Sequence, residues 1–248
     1  MITIKSKREI ELMRTAGRVV AEVLQIIEEA IRPGITTAEL DKIANRHILK
    51  AKCTPAFLGY HGFPATICAS VNEEVVHGIP SLRKLEEGDI VSIDVGAIYQ
   101  GYVGDAAKTF PVGETDPEAL RLIAVTEESL NRGIAQAVAG NHLTDISHAV
   151  QICVEKNGFS VVRDYVGHGI GSKMHEEPQV PNFGEPGRGP VLAAGMTLAI
   201  EPMVNAGTWQ VETLSNNWTV ITLDRKLSAH FEHTVAVTED GPLILTTL

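Results

Sequence analysis

The sequence has little that would carry it into a membrane, out of the cell or onto nucleic acid. No run of about 18 apolar residues occurs, so no membrane-crossing helix is expected. The opening residues, MITIKSKREIELM, lack the apolar stretch of a secretory leader. Cysteine is scarce: Cys53, Cys68 and Cys153 are odd in number and scattered. They fit the reduced thiols of a cytoplasmic protein better than a disulfide framework or a thiolate zinc site. No basic block is present and the net charge is -10, which argues against nucleic acid as the primary ligand. Several motifs are missing too. GHGIGSK has neither the GxGxxG nor the GxxxxGK[ST] spacing of a phosphate loop. His175-Glu176-Glu177-Pro178 is not HExxH, and its proline opposes the helix that motif needs. There is no GxSxG elbow and no cysteine in a nucleophile signature.

What remains is an ordinary globular chain of 248 residues, 44% hydrophobic and 21% charged. That length suits one large domain, here read as two repeated halves of roughly 1–112 and 113–248. Ser6 with Glu9 forms a capping box opening a helix, with an apolar stripe at Ile10, Met13, Val20, Leu24, Ile27 and Ile31. Pro33-Gly34 ends it. Thr36 with Glu39 opens a second helix through about Lys50. A loop-rich stretch from Thr54 to Pro64 and a strand-like Thr66 to Val76 follow. In the second half Pro117 starts a helix whose face, Leu120, Ile123, Leu130, Ile134 and Ala137, runs to Gly140. A shorter helix carries Ile146, Ala149, Val150 and Val154. Strand-like residues from Val161 to Val166 lead into a glycine-rich loop holding His168, whose imidazole is expected to be exposed.

The chemistry concentrates in DIVSIDVGAIYQGYVGDAAKTF, Asp89 to Phe110. It reads as two strands joined by a turn, with Asp94 inside the first apolar arm and Asp105 in the second. Carboxylates buried on adjacent strands repel unless they are paired or share a cation. The pattern recurs: GDIVSID matches GMTLAIE, DAAKTF matches EHTVAV, and VVHGI matches VGHGI. Glu201 and Glu232 thereby join Asp94 and Asp105, with His168 beside them. Each residue alone has an ordinary reading, as a strand end or a satisfied histidine. Together, four carboxylates and an imidazole carry the charge for two divalent ions of Mn, Fe or Co type, which sit about 3.5–4 Å apart in such sites.

NEEVVHGIP (72–80), SIDVGAIYQGYVGDAAKTF (92–110), VGHGIGSKMHEEPQV (166–180), AIEPM (199–203) and FEHTVAVT (231–238) together resemble the type I bacterial methionyl aminopeptidases. The resemblance covers the chain end to end and implies the duplicated α+β pita-bread fold, an antiparallel sheet with helices packed on one side. It implies two divalent metal ions (Co, Mn, Fe, Zn or Ni) on Asp94, Asp105, His168, Glu201 and Glu232, with Asp105 and Glu232 bridging. It further implies a bridging hydroxide that attacks the carbonyl after an N-terminal methionine, with Glu201 as proton shuttle, His175 at the oxyanion and His77 holding the peptide. The methionine side chain would lie among Phe57, Tyr60, Phe63, Cys68, Met174 and Trp218. The expected substrate is the N-terminus of nascent polypeptides with a small, uncharged second residue, met in the cytoplasm by a monomer in transient contact with the ribosome. Three positions depart from common family usage: Met174 where Phe is frequent, Phe57 where some have Cys, and His230 in place of Gln. The alternatives are an Xaa-Pro aminopeptidase or prolidase of the same fold, which carries a further N-terminal domain, and a peptide-binding module, which predicts eroded ligands.

Overall fold

A computed structural model describes all 248 residues. Four helices, α1 (Lys7–Ala30), α2 (Thr37–Lys50), α3 (Pro117–Ile134) and α4 (Leu143–Lys156), accompany a nine-stranded antiparallel sheet. Both expected capping boxes form. Glu9 accepts from the Ser6 N–H at 2.7 Å and Glu39 from the Thr36 N–H at 2.8 Å. The stripe on α1 buries Met13, Val20, Val23 and Ile27 completely against the Ile90–Tyr99 and Tyr102–Pro111 strands. Truncating one such residue to alanine costs about 2–5 kcal/mol.

The main sheet runs in the order Thr54–Pro55, Ile90–Tyr99, Tyr102–Pro111, Glu232–Thr238, Thr197–Ile200, Gly167–Gly169, Glu176–Val180. The expected hairpin is its first-half centre, paired from Ile90–Pro111 to Tyr99–Tyr102. The halves meet where Glu232 pairs with Ala107 and His233 with Ala106. Each half keeps its own core. One lies between α1, α2 and the hairpin; the other gathers α3, α4 and the strands around Leu198 and Val235.

The repeat is written in hydrogen bonds. Gly88 N–H donates to the Val112 carbonyl and Val112 N–H to that of Asp89, each at 2.9 Å. In the second half Gly195 N–H donates to Val237 and Val237 N–H to Met196, again at 2.9 Å. Gly88 and Gly195 share a left-handed φ, 89° and 92°. Counting from these bonds, Glu201 stands six residues after Gly195 as Asp94 stands six after Gly88. On the other strand His230 stands seven before Val237 as Asp105 stands seven before Val112. The backbone counterpart of Asp105 is therefore His230, and that of Glu232 is Ala107. The sequence match of DAAKTF to EHTVAV is displaced by two residues. A shift of two preserves which face a strand side chain takes, so the alternation of apolar residues cannot detect it.

Other expectations need correction. His168 lies on the Gly167–Gly169 strand, 7% exposed, because that strand is enclosed between its neighbours in the sheet. His77 follows the Glu74–Val76 strand of a separate three-stranded sheet, so VVHGI and VGHGI are not structural equivalents. Leu120 is 44% exposed, and Leu122 takes the buried position on α3. That helix stops at Ile134, short of Gly140. The strand expected over 161–166 is limited to Ser160–Val161.

Candidate active site

A cavity of about 330 Å³ opens over the middle of the main sheet. One cross-strand row forms its floor: Cys68 pairs with Asp94, Asp94 with Ala107, and Ala107 with Glu232. Asp105 lies on the same face as Ala107, two residues earlier, and is clasped by a threonine from the neighbouring strand. Thr234 Oγ1 accepts from the Asp105 N–H at 3.0 Å and donates to its carbonyl at 2.8 Å. Glu201 follows the Thr197–Ile200 strand, where Pro202 prevents the ladder from continuing. The Asn182 side-chain amide donates to the Glu201 carbonyl at 2.9 Å.

Four of the five expected ligands fall into two tight clusters, and Asp94 lines the same cavity outside both. One ligand atom from each of Asp105, His168 and Glu232 lies within 4.8 Å of the others, and the same holds for Glu201, His230 and Glu232. His168 Nε2 stands 3.4 Å from Glu201 Oε1, while His168 Nδ1 faces the Gly169 carbonyl at 2.9 Å. That carbonyl accepts only from an Nδ1–H, which leaves Nε2 with a free lone pair toward the cavity. Without a cation the cluster is electrostatically strained. Burial drives the Asp94 carboxyl up to about 7 and the Glu201 carboxyl up to about 8. Burial, reinforced by neighbouring carboxylates, also pushes Asp105 and Glu232 well above their usual range. Desolvation holds His168 down to about 4, in its neutral form. Asp94 Oδ1, Asp105 Oδ1 and Glu232 Oε1 are buried with no hydrogen-bond partner. Orphaned carboxylate oxygens beside a neutral imidazole are the donor set a divalent cation satisfies, so these residues fit the ions.

The remaining lining is aromatic and soft. Phe57, Tyr60, Phe63, Cys68, Met174 and Trp218 all face the cavity, as do His77 and His175. Burial raises the Cys68 thiol well above its usual range, so it stays neutral. Tyr60 Oη lies 2.7 Å from His175 Nδ1, and the His175 ring lies 4.2 Å from that of His168 between centroids. His77 sits at a φ of 60°, an uncommon conformation for a residue with a side chain, and is pushed down to about 4 by burial. Trp218 and Tyr165 meet it edge-on, at 6.4 and 5.8 Å between ring centroids.

Every site residue expected from the sequence thus borders one cavity. Three neighbours were not anticipated as site residues. His61 also lines the cavity, and Tyr165 braces His77. His230 lies beside Glu201, its side-chain Nε2 3.5 Å from Glu201 Oε2. Only His230 carried a signal in the sequence, as a departure from the glutamine common at that position.

Comparison with known proteins agrees with this chemistry. The model of metallopeptidase family M24 matches residues 11–239. The chain is 60% identical over 247 residues to the methionine aminopeptidase of Clostridium acetobutylicum, covering 99% of both chains. It is 55% identical over 246 residues to methionine aminopeptidase 1 of Bacillus subtilis, again covering 99% of both. The crystal structure of methionine aminopeptidase from Thermotoga maritima superimposes with a TM-score of 0.98 over 100% of both chains, at 50% identity.

Proposed function

The chain belongs to metallopeptidase family M24 and removes N-terminal methionine as a divalent-metal-dependent aminopeptidase, and from that premise we propose how its residues divide the work. Asp94, Asp105, His168, Glu201 and Glu232 would hold two divalent ions. The observation that carries this is that all five groups line one cavity, three of them with an orphaned, buried carboxylate oxygen. When bound, such a pair supplies Lewis-acid polarisation of the scissile carbonyl and a water of lowered pKa.

The chain's own groups do the rest. Glu201 takes the proton of the attacking water on a carboxylate oxygen and returns it to the leaving amine. His175 donates from Nε2–H to the carbonyl oxygen as negative charge develops there. A neutral imidazole can donate at Nε2 only if Nδ1 accepts, and the Tyr60 O–H at 2.7 Å fixes that tautomer. Burial keeps the ring neutral by lowering its pKa. His77, held edge-on by Trp218 and Tyr165, binds the scissile peptide. The methionine thioether lies among Phe57, Tyr60, Phe63, Cys68, Met174 and Trp218, whose rings and sulfur atoms suit a polarisable apolar group. A small second residue is the preferred one. The substrates are nascent chains, which places the reaction in the cytoplasm.

The test compares Met-Gly-Met with Xaa-Pro peptides, with and without chelator. Release of methionine that stops on chelation and returns with metal is expected. Cleavage of Xaa-Pro peptides alone, or no cleavage after metal reconstitution, would sink the proposal.

A further inference from the structure

His230 is the one buried titratable group beside the site that the mechanism above leaves idle. It is 2% exposed, and its Nε2 is buried without a hydrogen-bond partner. It does not border the cavity. Glu201 lies between two imidazoles, with Oε1 3.4 Å from His168 Nε2 and Oε2 3.5 Å from His230 Nε2. His168 reaches the cavity; His230 stands behind the carboxylate. At 3.5 Å the His230 contact falls just short of a hydrogen bond.

The backbone holds His230 as firmly as it holds Asp105. Thr109 Oγ1 accepts from the His230 N–H and donates to the His230 carbonyl, each at 2.9 Å, and Ser92 Oγ lies 2.8 Å from the same hydroxyl. Thr234 grips Asp105 in the same way from the opposite strand. In each pair the threonine stands four residues after the site residue of its own strand. The two clasps are related by the internal repeat, in which His230 is the counterpart of Asp105. A position built to this precision, with a polar atom 3.5 Å from a catalytic carboxylate, serves that carboxylate.

We infer that His230 is a positioning residue for Glu201: its Nε2–H donates to Oε2 and leaves Oε1 turned toward the metal. The inference rests on the metal assignment proposed above. A glutamine at this position offers an amide N–H of similar reach, so the donor, rather than the imidazole as such, is the functional element.

The test uses the full-length protein titrated with Co²⁺, following binding by calorimetry, the visible Co²⁺ bands, and kcat and KM. His230→Ala is expected to weaken Co²⁺ binding by roughly 10–100-fold, as loss of other partners of metal ligands does, and to lower kcat with KM little changed. His230→Gln is expected to restore affinity and kcat while leaving the Co²⁺ bands in place. Wild-type affinity in His230→Ala would overturn the inference. So would a glutamine variant no better than alanine, or a band shift in His230→Gln like that from losing an imidazole ligand. Thermal unfolding of the chelated variants separates misfolding from lost positioning, and His230→Gln decides the matter if His230→Ala does not fold. Co²⁺ affinity indifferent to Glu201→Gln would overturn the metal assignment and this inference with it. Glu201-dependent binding that ignores His230→Ala overturns this inference alone.

Discussion

At matching backbone positions the first half of the molecule presents Asp94 and Asp105, and the second presents Glu201 and His230. The second half then adds Glu232 where the first has Ala107. It also supplies His168 and His175. The turns, glycine conformations and threonine clasps are shared; the side chains that meet in the cavity are not. The two halves share the backbone bonds that fix where a side chain can stand and differ in what stands there. The site is consequently a joint product of two unequal contributions, meeting at the seam between the Tyr102–Pro111 and Glu232–Thr238 strands.

The sharpest way to break this comparison is to remove one contribution at a time. Asp105→Ala and Glu232→Ala should each abolish turnover and lower the number of ions bound per chain, as counted by metal analysis. Near-normal activity in either would refute a shared two-ion site. Next in size is His175→Ala, a second-half group with no acidic counterpart. It should lower kcat on the order of 10²–10³-fold, as for other oxyanion donors. An unchanged kcat in steady-state assays removes it from that role.

Removing the metal tests the electrostatic side. Asp94 in the first half and Glu201 in the second are raised to about 7 and about 8. A carboxyl whose folded pKa is raised binds more protons folded than unfolded, so stability falls as pH rises from the unfolded pKa, near 4, through the folded one. Buried neutral histidines act in the opposite sense, and only below about pH 6.5. Above that pH the carboxylates alone operate. Chelated protein should therefore lose stability between pH 6.5 and 8 in denaturant titrations, and metal-loaded protein should lose much less. A chelated protein whose stability is flat across that window would show that the carboxylates are not strained.

The smallest effect compares the repeated glycines. A side chain at either left-handed position costs about 1–2 kcal/mol. At Gly88 a Cβ would meet nothing nearer than 3.7 Å, but at Gly195 it would lie 2.6 Å from Ile4 Cγ2 and 2.8 Å from the Lys5 carbonyl. Gly195→Ala should thus lower the melting temperature more than Gly88→Ala, with the N-terminal segment displaced. Equal losses would mean the two turns are equivalent in packing as well as in conformation.

Much of this was legible in the sequence, for physical reasons that differ by residue. The capping boxes at Ser6 and Thr36 are local and self-contained, so their chemistry is visible without the fold. The acids announced themselves because charge inside the apolar run Ile90 to Val95 demands an explanation. Leu120 misled because an apolar residue on a helix does not say which face the sheet will cover, and Leu122 and Ala119 decide it. His168 misled because flanking glycines suggested an open loop, whereas Gly167 lets the strand lie close to the Ala199 carbonyl and Gly169 to that of Glu177. The two-residue displacement of the second repeat was invisible, since only hydrogen bonds report register.

Ala107 is the silent member of the cross-strand row. Its methyl lies in the row between Asp94 and Glu232, 3% exposed, at the place where its counterpart in the second half projects a carboxylate. A longer side chain at 107 would project from the row between Asp94 and Glu232. The acids that drew attention to this sheet are thus spaced by a residue that carries no charge at all.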